Sequence, residues 1–284
     1  MAVELGKVGI WDGRLRGGEP GTAGELAAAI EQLGYGALWI PGGAGGRVLE
    51  KCEEALQATT HLVLATGILN VWRHEVAEVA ATTARLQWGS GGRFLLGLGI
   101  SHERLIGDDY VKPVETMTRY LDELDAAGQP AGERVIAALR PRMLALAASR
   151  SAGTHPYFVP PEHSAAARAV GGEGALVAPE QTVVLETDPA KAREIARQFC
   201  STYLGLPNYT NNLRALGYAD DELEPPGSDR VIDAIVAWGD ASAIATRVRA
   251  HLDAGADHVC IQVVGGDPAV PPLDAWRELA GALL

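Results

Sequence analysis

From Val8 to the C-terminus, short apolar runs alternate with longer stretches in which apolar residues recur three and four positions apart. The first pattern predicts buried strands and the second amphipathic helices. Eight strands are expected: Val8–Trp11, Ala37–Ile40, Leu62–Leu69, Phe94–Gly99, Arg134–Ala138, His155–Phe158, Thr182–Glu186 and His258–Val263. Helices are expected between them, including Arg47–Thr60, His74–Trp88, Pro113–Ala127 and Pro141–Ser149. Thr22 with Glu25 has the spacing of a capping box, and Gly34 stands where a helix would end in the left-handed conformation.

Strands that alternate with helices call for parallel pairing through helical crossovers. Eight such units in 284 residues predict an α/β chain forming one (β/α)8 TIM barrel domain over 1–284. A dinucleotide-binding open sheet would carry a G-x-G-x-x-G turn after its first strand, whereas this chain reads Trp11-Asp12-Gly13 there. Residues 205–229 break the alternation, being polar and rich in turn formers. They read either as an excursion before the last helical layer or as a subunit contact.

Composition narrows the function classes. The formal charge of −12 repels phosphodiester backbones, so nucleic acid is not expected as a partner. No apolar run approaches the roughly 18 residues of a membrane span, and no signal-peptide pattern follows Met1, so a cytoplasmic protein is expected. Cys52, Cys200 and Cys260 are widely separated, in no disulfide or zinc-ligand spacing, and no metal is expected.

In a barrel of this kind chemistry sits at the C-terminal ends of the strands. Those ends supply Trp11 and Asp12, then Pro41 and Gly42, then Gly67, Ile68 and Asn70 with Trp72 beyond. Later strands supply Ile100, Ser101 and His102, then Ala138, Leu139 and Arg140, and finally Tyr157. The set lacks the paired acids of a glycosidase and the G-x-S-x-G turn of an α/β hydrolase. Ser101 and His102 are adjacent in sequence, so they point apart and do not form a nucleophile–base pair. What remains suits a bound redox cofactor, for which the protein holds a planar ring, handles a proton and excludes water. His102 is the best proton-handling group, since an ordinary imidazole titrates near pH 6.5. Trp11, Asp12, Trp72 and Tyr157 are expected to wall the substrate pocket. Gly97 and Gly99 leave the strand bare for a flat ligand.

Thr83-Ala84-Arg85-Leu86 and the run from Gly91 to His102 resemble the luciferase-like monooxygenase superfamily, and more narrowly its branch that uses the deazaflavin F420. ATGILNVW (65–72) resembles that branch's third strand. The resemblance implies a non-proline cis bond between Gly67 and Ile68 behind the deazaflavin, with Asn70 reaching the cofactor. SGGRFLLGLGISH resembles the fourth-strand signature, placing Ile100 and Ser101 at the cofactor and His102 where related sugar-phosphate dehydrogenases carry an acidic proton donor. Ala138, Leu139 and Arg140 match the segment that holds the cofactor's side chain and phosphate. Pro41-Gly42-Gly43 replaces an acidic cofactor contact of those dehydrogenases, a departure that argues against the same substrate. The later segments, from PEQTVVLETDPAKAREIAR to AGADHVCIQV, resemble a mycobacterial-type subfamily of F420-dependent oxidoreductases. The resemblance thus implies an F420-dependent oxidoreductase, a homodimer, acting on a small organic substrate. An FMN-dependent monooxygenase of the same fold is the alternative, and a catalytically silent barrel serving as a binding subunit is a third reading.

Overall fold

The computed structural model describes residues 3–17, 19, 21–42 and 47–284. Gly43 of the Pro41-Gly42-Gly43 departure lies outside them. Eleven strands form one parallel sheet: β1 Val8–Trp11, β2 Ala37–Ile40, β3 Val63–Thr66, β4 Leu69–Asn70, β5 Phe94–Gly99, β6 Arg134–Ile136, β7 Gly153–Thr154, β8 Leu176–Val177, β9 Glu180–Leu185, β10 Val236–Gly239 and β11 Val259–Val263. Their order is β10-β9-β11-β1-β2-β3-β5-β6-β7-β8, with β4 on β5.

The curl of this sheet closes because β8 and β9 are successive pieces of one extended run interrupted only at Ala178-Pro179. Along that run Ala178 N donates to Thr154 O at 3.0 Å and Glu180 N to Pro156 O at 2.9 Å, while Cys260 N donates to Pro179 O at 3.0 Å from the other side. Strand seven of the TIM barrel is therefore β8 plus β9, and β10 is an additional strand on the upper half of β9.

Alternate strand residues fill the barrel interior, as the two-residue period of a strand requires. Trp11, Trp39, Ala65, Leu95, Val135, Ala178 and Cys260 pack together there. Trp39 is fully buried, stacked on His155 with ring centroids 4.1 Å apart, and its indole N–H donates to His258 Nε2 at 3.1 Å. Outward-facing residues such as Ile10, Leu38, Leu64 and Phe94 pack against the helical layer.

The structure corrects several sequence expectations. The third strand does not run unbroken from 62 to 69: it parts at Gly67 and Ile68, whose peptide bond is cis. Its loss of register is met by Thr66, whose hydroxyl donates to Gly97 O at 2.7 Å and accepts from Gly97 N at 2.8 Å. The fifth strand stops at Ile136. The sixth is Gly153–Thr154, and His155–Phe158 lies beyond it, with Phe158 at a positive φ that a strand cannot hold. The seventh begins at Leu176, as β8, and resumes at Glu180 as β9; the eighth begins at Val259, and β10 is not among the eight strands the pattern predicts. Thr22 does not build a capping box, because Gly21 is the N-cap and the Thr22 hydroxyl donates instead to Glu19 O at 2.9 Å. Gly34 does follow the helix at φ +92°. The helices themselves are Val48–Ala58, Val76–Ser90, Pro113–Ala126 and Pro141–Arg150. Residues 205–229 are largely helical, holding Pro207–Ala215 and Asp220–Leu223.

Candidate active site

A cavity of about 1170 Å³ opens at the C-terminal ends of the strands. Of the residues expected there from sequence, Trp11, Pro41, Gly67, Ile68, Asn70, Ile100, Ser101, His102, Ala138, Leu139, Arg140 and Tyr157 all line it. Three do not. Asp12 is buried below the rim, where its carboxylate accepts from Arg14 N at 2.7 Å and pairs with the Arg14 guanidinium at 2.8 Å. Gly42 sits behind the wall: its N–H donates to Ile68 O at 3.0 Å, and a Cβ would stand only 2.9 Å from that oxygen. Trp72 buttresses the wall from outside by donating its indole N–H to Ile100 O at 2.7 Å.

The wall is built by close approach of β3, β4 and β5. A Cβ on Gly97 would lie 1.8 Å from Thr66 O, and one on Gly99 would lie 2.5 Å from the Ile68 side chain. Both glycines therefore make room for the Thr66–Ile68 segment, and Ile68 lines the cavity together with Gly99, while Gly97 does not. Asn70 is held by its own turn, since Oδ1 accepts from Trp72 N at 3.1 Å. Among the described residues its Nδ2 donates to no protein acceptor.

His102 ends the β5 loop as N-cap of the short helix Glu103–Ile106, against the Tyr209 ring at 5.1 Å between centroids. Burial holds its pKa below the ordinary histidine value, which keeps the imidazole neutral at neutral pH. Opposite stands an aromatic cluster of Tyr157, Tyr203 and Tyr209. The Tyr157 hydroxyl lies 2.8 Å from Gln262 Oε1 and 2.9 Å from the Tyr203 hydroxyl. Gln262 can only accept there, so Tyr157 donates to it and Tyr203 donates to Tyr157. Beneath them Glu180 is buried, accepting from the Thr182 hydroxyl at 2.6 Å, and burial pushes its pKa up to about 8.

Charge on the lining has one sign. Arg16, Arg104, Arg140 and Arg142 reach the cavity, and no Asp or Glu is among the described lining residues. Arg140 and Arg142 stand at the first turn of Pro141–Arg150, whose amide groups also favour an anion. Sequence reasoning missed Tyr203, Asn208, Tyr209, Arg16 and Arg104. Asn208 and Tyr209 come from a segment whose turn-rich composition gave no sign of facing the strand ends, and Tyr203 comes from the last turn of helix Pro189–Leu204 before it.

Residues 8–130 match the family model of the luciferase-like monooxygenases. The match spans 123 of the 284 residues and marks this N-terminal part of the chain as similar to those enzymes. Over 111 residues it is 32% identical to the 4-hydroxyprotoasukamycin monooxygenase of Streptomyces nodosus subsp. asukaensis, a match that covers 36% of this chain and 29% of that protein's length. Solved structures extend the likeness along the whole chain at the level of fold alone. An F420-dependent secondary alcohol dehydrogenase superposes with a TM-score of 0.75 at 15% identity, covering 99% of this chain and 98% of the other. The F420-dependent tetrahydromethanopterin reductase from Methanopyrus kandleri gives 0.73 at 18% identity, covering 97% of each. The FMN-bound oxygenating component of 3,6-diketocamphane monooxygenase from Pseudomonas putida gives 0.70 at 15%, covering 98% of each. No described helix is long and apolar enough to cross a membrane.

Proposed function

We propose that this chain is an F420-dependent oxidoreductase acting on a small organic substrate. The observation that carries the reading is the large cavity with four arginines on its lining and no described carboxylate. Its volume of about 1170 Å³ exceeds the roughly 300–1,000 Å³ that a single small ligand occupies, which leaves room for a cofactor and a substrate together. A cofactor with a phosphate and an anionic tail matches the one-signed rim, in a protein whose overall formal charge is −12.

The residues present fit such a group. Ile68 and Gly67 would back a planar ring, Asn70 Nδ2 would donate to it, and Arg140, Arg142 and the helix N-terminus between them would take the phosphate. When bound, F420 supplies hydride transfer at its deazaflavin C5. His102 holds or delivers the proton at an imidazole nitrogen, and Trp11, Tyr157 and Tyr209 keep water from the substrate end. The chain is proposed to work as a single-domain homodimer in the cytoplasm.

Titration with F420 and with FMN, followed by absorbance and fluorescence, tests the assignment. Binding of F420 in preference to FMN supports it. Exclusive FMN binding would replace it with an FMN-dependent monooxygenase, a reading favoured by the 32% identity to a monooxygenase over the matched segment. Binding of neither would leave the silent barrel.

A further inference from the structure

Helix Pro207–Ala215 brings Asn208 to the cavity rim, where its amide Nδ2 lies 3.5 Å from Ser101 O and 3.5 Å from His102 Nδ1. An amide nitrogen has two hydrogens and accepts nothing, while the amide oxygen only accepts. Turned the other way, the amide would set its oxygen against the Ser101 carbonyl oxygen with no proton between them. The carbonyl of Ser101 thus decides which way the amide points, and the amide decides which imidazole nitrogen is bare. Both contacts are long, as those around reacting groups often are before a ligand tightens them.

We infer that Asn208 fixes the tautomer of His102, so that the neutral ring carries its proton on Nε2 and serves as a hydrogen-bond donor in the cavity. Asn208 is a positioning residue in this arrangement. Among the described residues Nε2 has no protein partner, and His102 lines the cavity, so this N–H is left for a ligand. Tyr209, next in the same helix, packs beside the imidazole and holds its plane. Residues 205–229 thereby acquire a role: the helix that begins them closes the site and sets its proton.

The inference rests on the reading of His102 as the proton-handling group and narrows the substrate class. A neutral imidazole that donates from Nε2 polarises an oxygen that accepts, as in a carbonyl compound. A substrate that must surrender a hydroxyl proton needs the other tautomer, with Nε2 bare. The reacting group is therefore assigned to the carbonyl class.

Nitrogen-15 NMR of histidine-labelled, cofactor-free protein at neutral pH tests this, with the His102 signals identified by their loss in His102→Gln. Wild type should show a protonated-type Nε2 and a bare-type Nδ1. Asn208→Asp puts an acceptor of the same shape at the rim and should exchange the two shifts, while Asn208→Ala should leave intermediate values. A wild-type Nδ1 that bears the proton overturns the inference, as does a tautomer unchanged in both variants. Because no cofactor enters this measurement, failure to bind F420 would remove the cofactor assignment and leave the tautomer standing.

Discussion

The indole N–H of Trp11 donates to the carbonyl oxygen of Gly67 at 3.0 Å, joining the end of β1 to the cavity wall that follows β3. The contact is buried, and a Cβ on Gly67 would stand 2.7 Å from the same indole nitrogen. Trp11→Phe keeps most of the ring but leaves the Gly67 carbonyl without its donor. A loss of about 1–3 kcal/mol in denaturant unfolding is expected, the usual penalty of a buried polar group left unpaired. Gly67→Ala should cost a similar amount, about 1–3 kcal/mol, by overpacking against the indole. Wild-type stability in both variants would show that the wall does not depend on this contact.

His102→Ala should leave F420 affinity nearly unchanged while slowing turnover. Groups that transfer protons in the transition state contribute about 10²–10⁴-fold in rate. If the imidazole only packed beside the cofactor, the substitution would instead weaken binding and spare the rate at saturation. Measuring the cofactor dissociation constant alongside kcat, with a substrate found by screening, separates the two roles.

Strands β1, β2 and β5 were legible in the sequence because each is a short apolar run bounded by turn residues, and twelve of the expected site residues do line the cavity. His155–Phe158 misled because an alternating run with aromatics reads as a strand, while the strand ends at Thr154 and only single bonds, from His155 N to Ile136 O and from Glu180 N to Pro156 O, continue past it. The β10 strand was hidden by continuity, since Asp229–Ile235 is helical and Val236 follows with no breaker between them. Asp12 looked like a pocket residue only because it ends a strand; its partner Arg14, two residues on, turns it into a local cap. Asn208 and Tyr209 were beyond reach, since their contacts with residue 102 span more than a hundred positions of chain.

Removing positive charge from the rim should weaken the cofactor in a salt-dependent way. Arg142→Ala stands at the helix N-terminus and lacks a carboxylate partner among the described residues. A loss of about tenfold in F420 affinity at low ionic strength is expected, the lower end for a hydrogen bond to a charged group. The loss should shrink as salt rises through the physiological range, where the screening length is about 8 Å. An affinity independent of both the substitution and the salt would place the anionic tail elsewhere.

Trp88 is 91% exposed on helix Val76–Ser90, a costly position for a large apolar ring in water. The proposed homodimer would cover it, since buried tryptophan commonly anchors an interface. Light scattering at micromolar concentration should return twice the chain mass of 29.8 kDa, and Trp88→Arg should shift the population towards monomer. A monomeric wild type would refute the dimer, and a dimeric Trp88→Arg would move the contact to another face.

Glu180 makes stability depend on pH in a direction that can be worked out. Burial pushes its carboxyl up to about 8 in the folded chain, against 4.5 for the unperturbed group. Below pH 4.5 both states hold the proton and the group is neutral in the balance. Between 4.5 and 8 the unfolded chain ionises while the folded chain does not, so stability falls steadily as pH rises and the loss is complete once pH passes about 8. The buried histidines act in the opposite direction on the acid side. His155 and His258 are held down to about 4, so folding loses stability as pH drops from 6.5 toward that value. Those histidines are common to wild type and Glu180→Gln, and the difference between the two proteins isolates the carboxyl. The substituted amide would keep an oxygen for the Thr182 hydroxyl and never ionises. The variant should match wild type near pH 4.5 and exceed it increasingly toward pH 8, by several kcal/mol at the plateau given about 1.4 kcal/mol for each pH unit. Denaturant unfolding of both proteins across this range provides the measurement. A difference that stays flat with pH would mean that Glu180 ionises in the folded protein as it does in water.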